Sequence, residues 1–193
     1  MEIKIELSKA INFHQQGNLK DAKKIYEDIL KINPHLAEIH LNLGIILKSM
    51  NKLEEADESI SRAISLKPNF VLAHYHMGNT KYKLKKFNES EYIYKKVISL
   101  NSKFIEAYIN LSRAQRELSK LEDAEENARI ALKINPEFAD ANNQLSLILF
   151  DRGRLSDDLK NKDLEKLNEA KKIILRAIDL NPNYALSYLN YGL

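Results

Sequence analysis

A stop signal returns along this chain every 34 residues: Asn33-Pro34, Lys67-Pro68, Asn101-Ser102 and Asn135-Pro136. A second motif keeps the same step. It reads Leu-Asn-Leu-Gly at 41–44, Tyr-His-Met-Gly at 75–78, Ile-Asn-Leu-Ser at 109–112 and Asn-Gln-Leu-Ser at 143–146, with a further copy, Leu-Asn-Tyr-Gly, at 189–192. Self-similarity at this period leaves few architectures open, because a unit of that length holds two helices and a turn and cannot bury its apolar face alone. Such units gain a core only by stacking on their neighbours.

With Pro34 placed at position 32 of the period, the repeats span 3–36, 37–70, 71–104, 105–138 and 139–184, and a partial copy occupies 185–193. Apolar residues at helical spacing predict a helix A at places 1–14 of each repeat and a helix B at places 18–31. Tight turns such as Gln16-Gly17-Asn18 and Ser49-Met50-Asn51 separate the two. Helix B is expected to stop on Asn33, Asn101, Asn135 and Asn181, residues tolerant of a left-handed cap. Pro34, Pro68, Pro136 and Pro182 then forbid continuation. Ser102 stands where proline does elsewhere, so that corner is expected to be less rigid.

Small residues recur where helices must nest. Ala22, Ala56, Ala124 and Ala170 hold place 20, Ala63, Ala131 and Ala177 hold place 27, and Gly44, Gly78 and Gly192 hold place 8. Two helices approach to the short end of the usual 8–10 Å range only where one of them lacks a bulky side chain. The large partners are Leu43, Met77, Leu111 and Leu145 at place 7 and Tyr26, Ile60, Tyr94 and Ile174 at place 24. Leu36, Phe70, Phe104, Phe138 and Tyr184 are placed to plug the joint to the following repeat. This alternation resembles the tetratricopeptide repeat family, in register over about five copies and almost the entire chain. Repeat one is the poorest copy, with Lys9-Ala10 where Leu-Gly is usual. The resemblance implies an all-α fold, a right-handed superhelical solenoid of antiparallel helix pairs forming one domain over 1–193.

One step breaks the period. Pro136 and Pro182 are 46 residues apart, 12 more than the repeat, and core spacing resumes at Leu167 and Ala170. The extra residues therefore lie near 154–166, with helix B starting early behind Asn161 as N-cap and Arg154 to Lys160 forming a charged turn.

Composition narrows the partners. The net charge is only +3 with 30% charged residues, and no basic block occurs, which argues against nucleic acid and anionic membranes as partners. There is no cysteine, hence no disulfide framework, thiolate nucleophile or Cys-ligated zinc. The N-terminus alternates charged and apolar residues and does not read as a secretory signal. No stretch reaches the roughly 20 apolar residues of a membrane span, so a cytoplasmic location is expected. None of the five histidines, His14, His35, His40, His74 and His76, forms an i, i+4 pair for zinc, and His40 and His74 read as part-buried packing residues. Adjacent carboxylates such as Glu54-Glu55, Glu125-Glu126 and Asp157-Asp158 read as solvated helix faces. No catalytic constellation, metal site or cofactor is expected.

The functional surface must then be a groove. At 100° per residue, places 4, 7, 8 and 11 of helix A face helix B, while places 2, 5, 6, 9, 12 and 13 turn toward the inside of the solenoid. Place 6 reads Ser8, Asn42, His76, Asn110, Gln144 and Asn190 down the stack. An amide offers donor and acceptor together and can hold a peptide backbone, although the same amides could cross-link neighbouring A helices. The series resembles the asparagine ladder of the O-linked N-acetylglucosamine transferase superhelix at Asn42, Asn110 and Asn190, with His76, Gln144 and Ser8 departing from it. Leu7, Ile11, Leu41 and Ile45 are expected to pack largely between successive A helices.

The recognition patch falls in repeats three and four. There Tyr75, His76, Asn79, Tyr82 and Lys83 are set against Ile109, Asn110, Arg113, Arg116 and Glu117, because Tyr and Arg dominate binding hot spots. The family's carboxylate clamp is missing, since no three-repeat window carries its lysines and asparagines, and Asp140 would repel an acid. The chain thus reads as a non-enzymatic scaffold or adaptor that binds a peptide or protein segment in its groove. A substrate-recognition arm of a larger glycosyl- or sulfo-transferase is the alternative, and a self-association module a third. Tyr188, Tyr191 and Leu193 would leave the last helix uncovered, so either the native protein continues or copies associate weakly through this end.

Overall fold

The computed structural model describes residues 2–154 and 164–182. These residues form ten α-helices in antiparallel pairs: α1 (Glu2–Gln15) with α2 (Leu19–Ile32), α3 (Ala37–Ser49) with α4 (Leu53–Leu66), α5 (Val71–Lys83) with α6 (Phe87–Leu100), α7 (Ile105–Glu117) with α8 (Leu121–Ile134), and α9 (Ala139–Arg154) with α10 (Leu164–Leu180). The chain divides into two compact units, Met1–Leu100 and Asn101–Leu193. The division falls at the corner where Ser102 replaces proline. α1 to α6 belong to the first unit and α7 to α10 to the second.

Within each pair the small-against-large rule holds. Ala22, Ala56 and Ala124 are fully buried, as are Ala63, Ala131 and Ala177. A methyl group added at Gly44 would sit 2.4 Å from Ile60 Cγ1, and one at Gly78 would sit 2.6 Å from the Tyr94 ring. Glycine is therefore required at these two crossings for close approach. Repeat four solves the same contact differently. Ser112 takes the glycine's place, and its hydroxyl donates to the Ala124 carbonyl at 2.7 Å.

Leu41 clusters with Ile60 and Ala63 of its own repeat and with Ala73 and Met77 of the next, while Ile109 clusters with Ala131 of its own repeat and Ala141 of the next. Both therefore pack between successive pairs, as Leu36, Phe70 and Phe138 also do.

The expected left-handed caps on the corner asparagines are not found. Asn33 and Asn135 are extended, with φ of −136° and −140°, and Lys67 has a similar φ of −139°. The reason is local: a following proline disfavours helical conformations in the residue before it and drives that residue into the extended region. Asparagine serves instead through its side chain, as an Asx turn. Asn33 Oδ1 accepts the N–H of His35, Asn101 Oδ1 that of Lys103, and Asn135 Oδ1 that of Glu137.

Positive φ occurs at the turn inside each of the first four repeats, at Gly17, Asn51, Lys85 and Ser119, again one period apart. There helix A ends in a Schellman motif: Lys52 N–H donates to Leu47 O and Asn51 N–H to Lys48 O, with matching pairs at 85–86 and 119–120.

The corners carry a second fastening. His40 Nε2 lies 3.0 Å from Pro34 O and His74 Nε2 lies 2.8 Å from Pro68 O. Tyr108 donates to Ser102 O and Asn142 to Pro136 O. All four residues hold place 4, so each helix A is tied to the corner that precedes it. His40 and His74 are part-buried, as the sequence suggests, and this tie is their role.

In the fifth repeat α10 starts three residues ahead of Leu167, the counterpart of Leu121 where α8 begins, so helix B does start early. Asn161 and the turn toward Lys160 lie outside the described residues, as do Tyr184, Tyr188, Asn190, Tyr191, Gly192 and Leu193.

Candidate functional site

In the first unit the A-helix face is built by α3 and α5. Both begin at place 1 and keep the same register, so Lys48 near the end of α3 comes against His76 in the middle of α5. Lys48 Nζ donates to His76 Nδ1 at 3.1 Å, which fixes the ring as the neutral tautomer with its proton on Nε2. Burial pulls the Lys48 pKa down to about 8, and the nearby charge of Lys83 pulls in the same direction. Burial likewise lowers His76 to about 4, helped by Lys48. Among the described residues no carboxylate pairs with Lys48 or Lys83. Part-buried Lys48 thus carries its charge against a neutral imidazole with exposed Lys83 nearby, an arrangement that burial of Lys48 and repulsion between the two ammonium groups both oppose.

Aromatic rings flank this corner. Tyr75 meets His76 edge-on at 5.4 Å and lies tilted against Tyr94 at 6.4 Å. Tyr94 is buried and donates to Asn79 Oδ1 at 2.6 Å, so Asn79 is held by its own repeat. Tyr82 stacks edge-on against Phe87 at 5.3 Å. Asn42 lies at the hydroxyl of buried Tyr26, whose pKa burial raises and Asn42 partly lowers. Lys81, on the opposite arc of α5, is compensated: burial disfavours its charge, but Asp57 and Glu89, each 3.0 Å away, raise its pKa overall.

The second unit uses the equivalent face differently. Arg113 Nη2 bonds Asp140 Oδ1 at 2.5 Å while Arg113 Nη1 donates to Asn110 Oδ1 at 2.9 Å. Arg116 Nε donates to Asp151 Oδ2 at 2.6 Å. Arg152 is paired with Glu122 and Glu125, and Arg129 bridges Glu125 and Glu169. Burial raises the Glu125 pKa, but Arg129 and Arg152 more than reverse this and hold it low. Gln144 is only 3% exposed, so its amide faces neighbouring protein.

The residues read from sequence therefore separate by unit. In the first unit Tyr75, His76, Asn79, Tyr82 and Lys83 share α5, with Asn42 on α3, helix A of the preceding repeat. In the second, Asn110, Arg113 and Arg116 share α7 and are bonded to each other or to carboxylates of α9. Asn190 lies outside the described residues. Sequence reasoning overlooked Lys48. Its signal was present: place 12 of one repeat meets place 13 of the next, which pairs Lys48 with Lys83 where repeats four and five pair Arg116 with Asp151.

No helix among the described residues is long and apolar enough to cross a membrane. Sequence profiles described as tetratricopeptide repeat match residues 13–79, 109–160, and both 71–104 and 158–184. No curated protein matches the sequence significantly. Among solved structures, MamA residues 41 to the end from Desulfovibrio magneticus RS-1 superposes with a TM-score of 0.79 at 16% identity, covering 94% of this chain and 96% of that one. A MamA RS-1 double mutant gives 0.79 at 18% identity, covering 93% and 94%. YrrB, described as a TPR protein with an unusual peptide-binding site, gives 0.73 at 17% identity, covering 97% and 91%.

Proposed function

The chain belongs to the tetratricopeptide repeat family, and we propose that it serves as a non-catalytic protein-interaction scaffold that holds a peptide or protein segment against its A helices. The observation that carries this reading is the uncompensated face of the first unit. Lys48 bonds His76, whose ring Tyr75 meets edge-on, and neither Lys48 nor Lys83 has an acidic partner among the described residues. Such a face costs the free protein stability and is relieved by a bound group. Asn42, Tyr75, His76, Asn79, Tyr82 and Lys83 line it. Asn110, Arg113, Arg116, Gln144 and Asn190 are secondary in this reading, because those of them that are described are bonded within their own unit or buried. The peptide-binding site named for YrrB, a protein of the same fold, supports the same class of ligand.

Selection from a displayed peptide library against the full chain tests this. Tyr75→Ala is expected to weaken the selected peptides by at least about 2 kcal/mol while helix content stays unchanged. Lys95→Glu, on α6 and paired with Glu91 of the same helix, is expected to leave affinity untouched. Affinity that responds to Lys95 and ignores Tyr75 would move the site off this face.

A further inference from the structure

We infer that the corner formed by Lys48, His76 and Lys83 binds a carboxylate supplied by an acidic side chain of a protein partner. The inference rests on the scaffold reading above and adds the chemistry of the ligand. It comes from comparing the two units position by position.

In the second unit, place 12 of one A helix is Arg116 and place 13 of the next is Asp151, and they bond at 2.6 Å. Place 9 is Arg113 and place 2 of the next helix is Asp140, bonded at 2.5 Å. In the first unit the same two steps carry Lys48 with Lys83, and Ile45 with Leu72. Where the second unit holds a carboxylate beside its cation, the first unit holds a second cation. Where the second unit has an ion pair, the first has two aliphatic side chains, of which Leu72 is 47% exposed.

The missing group is thus defined by the sister position: it is the carboxylate that Asp151 supplies to Arg116, with aliphatic Ile45 and Leu72 at the neighbouring step of the first unit. A charge-assisted bond from an ammonium to a carboxylate is about twice as strong as a neutral one. His76 adds a donor, because Lys48 occupies its Nδ1 and leaves the Nε2–H to point elsewhere. The cations sit at the C-terminal ends of α3 and α5, away from the places of the family's carboxylate clamp, which this chain lacks. The aliphatic neighbours favour an acidic residue within a protein segment over a free inorganic anion, since Leu72 and Ile45 offer such an ion no donor.

The test uses the full chain and two capped peptides, acetyl-Ala-Leu-Asp-Leu-Ala-amide and its Asn counterpart, with inorganic phosphate as a third ligand. Binding is read from the His76 ring and Lys48 ammonium resonances by NMR. The Asp peptide is expected to bind about tenfold or more tightly than the Asn peptide, consistent with one charge-assisted bond. It should also raise the Lys48 pKa. Lys83→Asp, a change at an exposed position that copies the Arg116–Asp151 pair, is expected to abolish the Asp peptide's advantage with the helices intact. Equal binding of the two peptides, no binding of the Asp peptide at millimolar concentration, or undiminished binding to Lys83→Asp would each overturn the inference. Phosphate that matches the Asp peptide and displaces it would make this a small-anion site and overturn it as well. If the library selection still depends on Tyr75 in any of these cases, the scaffold reading stands and only the carboxylate assignment fails.

Discussion

The two units of this chain are built on one plan and finished in opposite ways. In both, alanine at place 20 is buried at the helix crossing, and the place 4 side chain ties helix A to the preceding corner. On the A-helix face they part. The second unit closes its cations internally with Asp140 and Asp151, whereas the first leaves Lys48 and Lys83 without an acid among the described residues. A repeat fold permits this because the core and the face occupy separate arcs of the same helix. One arc can be held constant for stability while the other varies for recognition.

The largest expected effect concerns what the units share. Ala56→Leu in the first unit and Ala124→Leu in the second should each cost about 1–3 kcal/mol through overpacking, because both sites are fully buried. Glu55→Leu, next in sequence and exposed, should cost under about 0.5 kcal/mol. Chemical denaturation of the three variants checks this, and a tolerant Ala124 would show that the two cores do not follow one rule.

Smaller effects probe the difference. Asp151→Lys rewrites the second unit as the first and should destabilise by about 1 kcal/mol, since it exchanges a part-exposed ion pair for a repulsion. The reverse change, Lys83→Asp, should stabilise by about 0.5 kcal/mol, a gain that shrinks as salt screens the new pair. Thermal melts at low and high ionic strength separate the two cases. If both substitutions move stability in the same direction, the positional equivalence of the units is wrong.

The smallest effect is a pH dependence. His76 is held near 4 in the folded protein against about 6.5 for an ordinary histidine. The unfolded chain therefore binds more protons than the folded one between these values. Stability should rise with pH across roughly 4 to 6.5 on this account, and the rise should weaken in His76→Gln. Denaturation midpoints at several pH values, wild type against variant, measure it.

Much of this was legible in the period. Helix bounds follow it within about one residue for α2 to α8, because turn chemistry and apolar spacing are local and repeat in register. The corner asparagines were misread for a local reason too: the effect of the following proline on Asn33 outweighs the general tolerance of asparagine for left-handed backbone. Arg113 and Arg116 read as recognition residues because Asp140 and Asp151 lie 27 and 35 residues further on, out of view of any local pattern. Lys48 was passed over because its importance lies in burial and in the absence of an acid, and neither is visible until α3 and α5 are packed together.

The claim that the first unit carries an open cationic corner rests most directly on Lys48. NMR titration of its ammonium group in the wild type and in Lys83→Asp decides the matter. The account expects a pKa near 8 in the wild type, moving up toward the ordinary lysine value of about 10.4 once an aspartate stands at position 83. A wild-type Lys48 that already titrates at the ordinary value, unmoved by Lys83→Asp, would contradict it.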